Sequence, residues 1–282
     1  MDAAMEKPAA PMPGRHGAVG ARVERLDGIP KLNGDEIFGA DYWPEHALTL
    51  RVLRSPYHSA QFTIGDVAAW VARHDLVSHV FLASDIDGDN QFGVIPPMAD
   101  QPALAVDAAR FKGEAVAVIV GKSQDVAAMD ISDFPIDWTE LPAIMDVEVA
   151  LADGTAQIHA HRDNNILING IVKHGDIDKG FAAADHVAEM SFSTSYVEHA
   201  YIEPEAGVAW MDGDTVVIQA CTQAPIMDRD DTAKVLGLPV EKIRIIPSAT
   251  GGGFGAKLDV SVQPLLGLVA LKTGQPCRIV YS

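Results

Sequence analysis

Along the first half of the chain, hydrophobic positions fall into short runs separated by polar, proline-containing breaks. LTLRVLRS (48–55) alternates with the period of two expected of a strand and stops at Pro56. FTIGDVAAWVARH (62–74) starts as a strand, and Asp66 is placed to cap a helix opening at Val67. HVFLAS (79–84) and EAVAVIVGKS (114–123) read as short buried strands, with the long polar loop 85–102 between them. SQDVAAMDI (123–131) reads as a helix behind a serine cap, and DFPIDWTELPAIMD (133–146) returns as a strand.

Residues 151–170 read as a linker, and the pattern changes after them. HVAEMSFSTSYVEHA (186–200) alternates like one long strand. GVAWMDGDTVVIQACT (207–222) is a hairpin around Asp212-Gly213-Asp214. IMDRDDTAKVLGLP (226–239) predicts an amphipathic helix and EKIRIIPSA (241–249) a strand. A second helix is expected over roughly 256–273, ended by Gly274. CRIVYS (277–282) begins a final strand, expected to leave an open sheet edge for another polypeptide to cover.

Hydrophobic residues make up 48% of the 282, enough for a real core. No apolar run reaches the ~18 residues of a membrane-spanning helix. The net charge of −18 argues against nucleic acid or anionic lipid as the main partner. Cys221 and Cys277 stand far apart, with no CxxC and no iron–sulfur spacing, which suits a reduced, cytoplasmic chain holding no cluster itself. Residues 1–22, rich in Ala, Pro and Gly, read as a flexible tail.

Candidate chemistry concentrates in SATGGGFGAKLD (248–259). Glycines between a strand and a helix let backbone N–H groups approach an anion closely. The stretch is not GxxxxGK[ST], and no Asp or Glu follows Asp259 to complete a dinucleotide fingerprint. A packing turn is the plain alternative. Phe254 reads either as a wall beside a planar ligand or as a core plug. Glu198, His199, Glu203 and Glu205 crowd a second stretch, with structural roles favoured for Glu203, and Gln223 suits either a ligand or the cap of the next helix.

Several of these stretches together resemble the large subunit of the molybdenum hydroxylases, the xanthine dehydrogenase and aldehyde oxidase family. RVLRSPYHSAQF (51–62), DAARFKGEAVAVIVGKS (107–123) and IDWTELPAIMDVEVAL (136–151) are similar to its α/β hammerhead domain. HAYIEP (199–204), TQAP (222–225) and GGGFGAK (251–257) resemble the start of its molybdopterin-binding domain. The resemblance implies an α+β chain: a hammerhead domain over 23–150, the linker, then the first part of a mixed α/β molybdopterin-binding domain over 171–282. It implies hydroxylation of a heteroaromatic or aldehyde substrate with water as oxygen source, on a molybdenum–molybdopterin cofactor with the cytosine dinucleotide form as one option. It assigns Gly252, Gly253, Phe254, Gly255, Gln223 and position 197 to the cofactor, with the amides near Phe254 and Gly255 facing an oxo ligand. Phe254 and Leu258 would line the substrate pocket, and no side chain would ligate the metal directly.

Two positions depart from the xanthine-type pattern: Val197 stands where a glutamine is usual, and Leu258 where an acidic residue follows the lysine. The family's general base lies in a region not matched here, so no residue is assigned as catalytic. A second molybdopterin-domain chain, an iron–sulfur subunit and a flavin (FAD) subunit are the implied partners. A non-catalytic assembly module of the same fold and a nucleotide-binding α/β protein are the alternatives.

Overall fold

The computed structural model describes residues 23–281; the tail expected over 1–22 lies outside them. The chain divides into two units, Met1–Ile37 and Phe38–Ser282. Among the described residues of the first, a short helix, α1 (Gly28–Asn33), ends at Gly34, whose φ of 78° a glycine adopts without strain.

The second unit is built on a mixed seven-stranded sheet. Its strands are β1 (Leu48–Arg54), β3 (His79–Leu82), β5 (Ala115–Gly121), β7 (Ala206–Asp212), β8 (Thr215–Ala220), β9 (Ile243–Pro247) and β10 (Cys277–Val280), in the order β3-β5-β1-β10-β7-β8-β9. Strands from both sides of the 151–170 segment therefore share one sheet. A three-stranded sheet, β4-β2-β6, is formed by β2 (Ala60–Ile64), β4 (Ala108–Ala109) and β6 (Ile136–Glu140). The short helices are α2 (Val67–Val71), α3 (Val147–Leu151) and α4 (Ile177–Ala182); the longer ones are α5 (Pro225–Leu236) and α6 (Gln263–Thr273).

The continuous apolar run of β5 follows from burial on both faces. Val118 and Val120 pack with Leu48, Leu50 and the α6 residues Leu266 and Leu268. Val116 and Ile119 pack with Phe62, Trp70 and Phe134 on the side of the small sheet. Burying each such side chain contributes about 1.5–3 kcal/mol. Asp66 caps α2 as expected, its Oδ1 accepting from the Ala69 amide at 2.9 Å. Ser123 likewise accepts from the Asp125 amide, but the helix behind it is one 3-10 turn, Gln124–Ala127.

Three expectations are corrected. The helix expected from 256 starts at Gln263, because Pro264 lacks an N–H and fits only a first turn. Residues 186–200 form no strand and are exposed throughout, since nothing in the described chain pairs with them. β10 is no open edge: it lies between β1, to which it is parallel, and β7, to which it is antiparallel, with Cys277, Arg278 and Ile279 buried. The edge argument for a covering polypeptide thus fails.

Candidate functional site

The glycine loop runs from the end of β9 to the start of α6 and is irregular throughout. Its entry is fixed by the sheet. Ser248 donates its amide to the Ala220 carbonyl at 3.0 Å, and Ala249 bridges Phe38.

Two side chains then clamp the loop. Glu203 accepts from the Gly251 amide at 2.7 Å, from the Gly39 amide at 3.2 Å and from Lys257 Nζ at 2.8 Å. Lys257 Nζ also donates to the Glu203 carbonyl at 3.0 Å and sits 4.6 Å from the centre of the Tyr201 ring. Both side chains are buried, and their charges satisfy each other. Opposite them, Gln223 Oε1 accepts from the backbone amides of Gly255 (3.0 Å) and Lys257 (3.3 Å), while the Gln223 backbone N–H donates to the Lys257 carbonyl at 2.8 Å. HAYIEP and TQAP are therefore the two jaws that hold GGGFGAK.

The clamps explain the glycines. A Cβ on Gly251 would fall 2.6 Å from Glu203 Cβ, and one on Gly253 would fall 2.4 Å from Gln223 Oε1. Gly252 and Gly255 carry φ of 105° and 102°. Phe254 carries φ of 53°, which costs a non-glycine residue about 1–2 kcal/mol. Its side chain is 74% exposed, so it is not a core plug.

The amides at the two ends of this arc, Gly251 and Gly255, are taken by Glu203 and Gln223. The three between them, Gly252, Gly253 and Phe254, have no hydrogen-bond partner among the described residues. Successive unpaired amides in a loop of mixed handedness are the usual construction of an anion cradle. A helix dipole plays no part, because α6 begins beyond the loop. Lys257 is equally unavailable to a phosphate, being committed to Glu203. Of the two amides expected to face a ligand, that of Gly255 is instead engaged by Gln223, a long-range contact that local sequence does not encode.

The remaining expected residues are less closely gathered. Leu258 is partly exposed, and its amide reaches the Gly255 carbonyl at 3.4 Å. Val197 is 82% exposed in the unpaired 186–200 segment. Glu198 is exposed and lies 3.9 Å from His199. Glu205 is buried and accepts from Ser261 Oγ at 2.9 Å. Burial and Glu205 push the Tyr201 hydroxyl up to about 12, and burial pushes the Cys221 thiol up to about 11, so neither is a nucleophile at neutral pH.

Sequence reasoning missed Gly39 and Tyr201, whose contacts with the clamp cross long stretches of chain. It also missed a cluster of Asp100, His159 and His161. There Arg162 grips Asp100 Oδ2 through Nε (2.9 Å) and Nη2 (2.6 Å), tying the segment read as a linker to the loop before β4. Among the described residues, no helix is long and apolar enough to cross a membrane.

Comparison with known proteins bears on what the cradle holds. Residues 158–282 match the model of the molybdopterin cofactor-binding domain. The chain is 36% identical over 267 residues to the nicotinate dehydrogenase large molybdopterin subunit of Eubacterium barkeri, covering 94% of this chain and 61% of that one. It is 33% identical to a probable xanthine dehydrogenase subunit of Bacillus subtilis, covering 90% of this chain and 34% of that one. The fold superposes on the aldehyde oxidoreductase of Desulfovibrio gigas with a TM-score of 0.83 at 25% identity, covering 92% of this chain and 30% of that one. The chain thus spans between about a third and three-fifths of the length of these proteins.

Proposed function

Because the chain belongs to the molybdenum hydroxylase family, we propose that it supplies one wall of a molybdopterin site in an enzyme that oxidises a heteroaromatic or aldehyde substrate. The observation that carries this reading is the arc of unpaired amides at Gly252, Gly253 and Phe254 between two clamped ends. The bare arc suits a dense anionic group, since glycines leave the backbone accessible and any Cβ at Gly251 or Gly253 would displace a clamp. When bound, the molybdenum–pterin group supplies the two-electron oxidation, with water as the source of oxygen.

The chain's own residues then hold and orient. The three amides face the cofactor, Gln223 and the Glu203–Lys257 pair keep them in register, and the exposed Phe254 ring offers a face to a planar substrate. Leu258, in place of an acid, favours a substrate edge without hydrogen-bond donors. Val197 supplies no side-chain hydrogen bond to the cofactor. The cofactor form proposed is the cytosine dinucleotide, and the compartment is the cytoplasm.

The general base and further pterin contacts come from a second molybdopterin-domain polypeptide, with iron–sulfur and flavin subunits carrying electrons away. The relative sizes support this division. The subunit from E. barkeri is itself named a large molybdopterin subunit, and a similar aligned length covers 61% of it against 34% of the B. subtilis protein.

The test is to purify the enzyme with its native companions, measure molybdenum and pterin, and follow oxidation of nicotinate, quinoline and an aromatic aldehyde in 18O-labelled water. Stoichiometric molybdenum and labelled product are expected. An intact complex without molybdenum or pterin would overturn the reading.

A further inference from the structure

Residues 185–202 make no backbone hydrogen bond among the described residues, and side chains 186–200 are exposed throughout. Buried or not, some eighteen residues of unpaired backbone need partners, and in a finished assembly those partners are strands, helices or water. The sequence says which. Ala188, Met190, Phe192, Thr194 and Tyr196 fall on one side of a period-two pattern; Glu189, Ser191, Ser193 and Ser195 fall on the other. Phe192 is 83% exposed and Tyr196 96%. A helix would scatter these two sets around its circumference; only an extended strand separates them.

We propose that residues 186–200 add as a β-strand to a sheet edge of the polypeptide that carries the remaining length of the relatives, burying the Met190–Phe192–Tyr196 face. The occupant is argued from coverage: 70% of the aldehyde oxidoreductase chain, and two-thirds of the B. subtilis protein, lie outside what this chain matches. The mode is strand addition, in which backbone hydrogen bonds give affinity and alternate side chains give register. The strand runs directly into His199, Tyr201 and Glu203. Docking it therefore orders the chain that leads into one jaw of the loop clamp. This inference rests on the proposed molybdopterin site only for the identity of the occupant.

The test uses the holoenzyme. Hydrogen exchange at 186–200 is expected to be at least about 100-fold slower than in an unstructured peptide, and Phe192→Asp to reduce the recovered complex at least about tenfold while Ser193→Asp leaves it unchanged. A photo-crosslinking side chain at Tyr196 is expected to label sequence outside these 282 residues. Exchange at the unstructured rate, equal damage from Phe192→Asp and Ser193→Asp, or cross-links confined to a second copy of this chain would each overturn the proposal. Fast exchange in an enzyme that holds molybdenum and turns over removes only the strand; a complex without molybdenum removes the proposed function instead.

Discussion

Residues 251–257 and 186–200 are both irregular backbone, yet they are opposites in energetic terms. The first is locked by a buried ion pair and a buttressing glutamine, with its free amides confined to one short arc. The second makes no backbone hydrogen bond among the described residues, and its side chains are exposed. Lack of regular structure therefore says nothing about order. What decides it is whether each polar group finds a partner within the chain. The glycine loop is finished before any ligand arrives, while the strand-like segment is unfinished without one.

The sharpest way to break this comparison is Lys257→Met. It leaves the Glu203 carboxylate buried without its charge partner, and a loss on the order of 3–5 kcal/mol is expected in urea unfolding, together with loss of molybdenum. A loss below about 1 kcal/mol would mean that the loop is not clamped.

Asp228 in α5 is an intermediate case: Gln263 donates to its Oδ2 at 3.0 Å, but its buried Oδ1 has no partner. Burial raises its pKa from 3.8 to about 6. The folded protein therefore holds this proton more tightly than the unfolded chain. Its contribution to stability is largest below pH 3.8 and is lost as pH rises through about 6. Asp228→Asn should remove that dependence and raise stability at pH 7 by on the order of 2–3 kcal/mol. An unchanged pH profile of unfolding between pH 4 and 7 would contradict it.

Within the loop, Gly255→Val forces a β-branched residue to φ near 102°, a strain of roughly 1–3 kcal/mol, and should lower molybdenum content. Phe254→Ala touches only an exposed ring. Turnover should fall about tenfold, near 1.4 kcal/mol in barrier, with molybdenum retained. If both variants matched the parent in metal and rate, the loop would not line the site. The smallest effect belongs to the other region. Phe192→Ser in the chain expressed without companions should change stability by less than about 0.5 kcal/mol, because Phe192 is 83% exposed.

Much of the framework was legible because it is local. β1, β5, the β7–β8 hairpin and the caps at Asp66 and Gly274 follow from periodicity and capping residues alone. The glycine loop was legible as a place, through its composition and the ordered stretches around it. Its mechanics were not, since Gly39, Glu203, Gln223 and Lys257 meet only after the sheet brings them together. The late start of α6 was readable from Pro264, which the apolar run concealed. The position of β10 was not readable, because strand order depends on long-range pairing.

That position has a consequence for how the protein is made. β10 fills the slot between β1 and β7, pairing Leu48 with Cys277, 229 positions later. On a ribosome adding about 5–20 residues per second, β1 waits roughly 10–50 s for its neighbour. During that interval the nascent chain presents the unpaired backbone edges of two inner strands to the crowded cell. Late completion of the sheet thus follows from the topology, and ribosome-stalled chains ending before Cys277 should remain protease-sensitive while those held on a linker that brings Val280 clear of the exit tunnel become resistant.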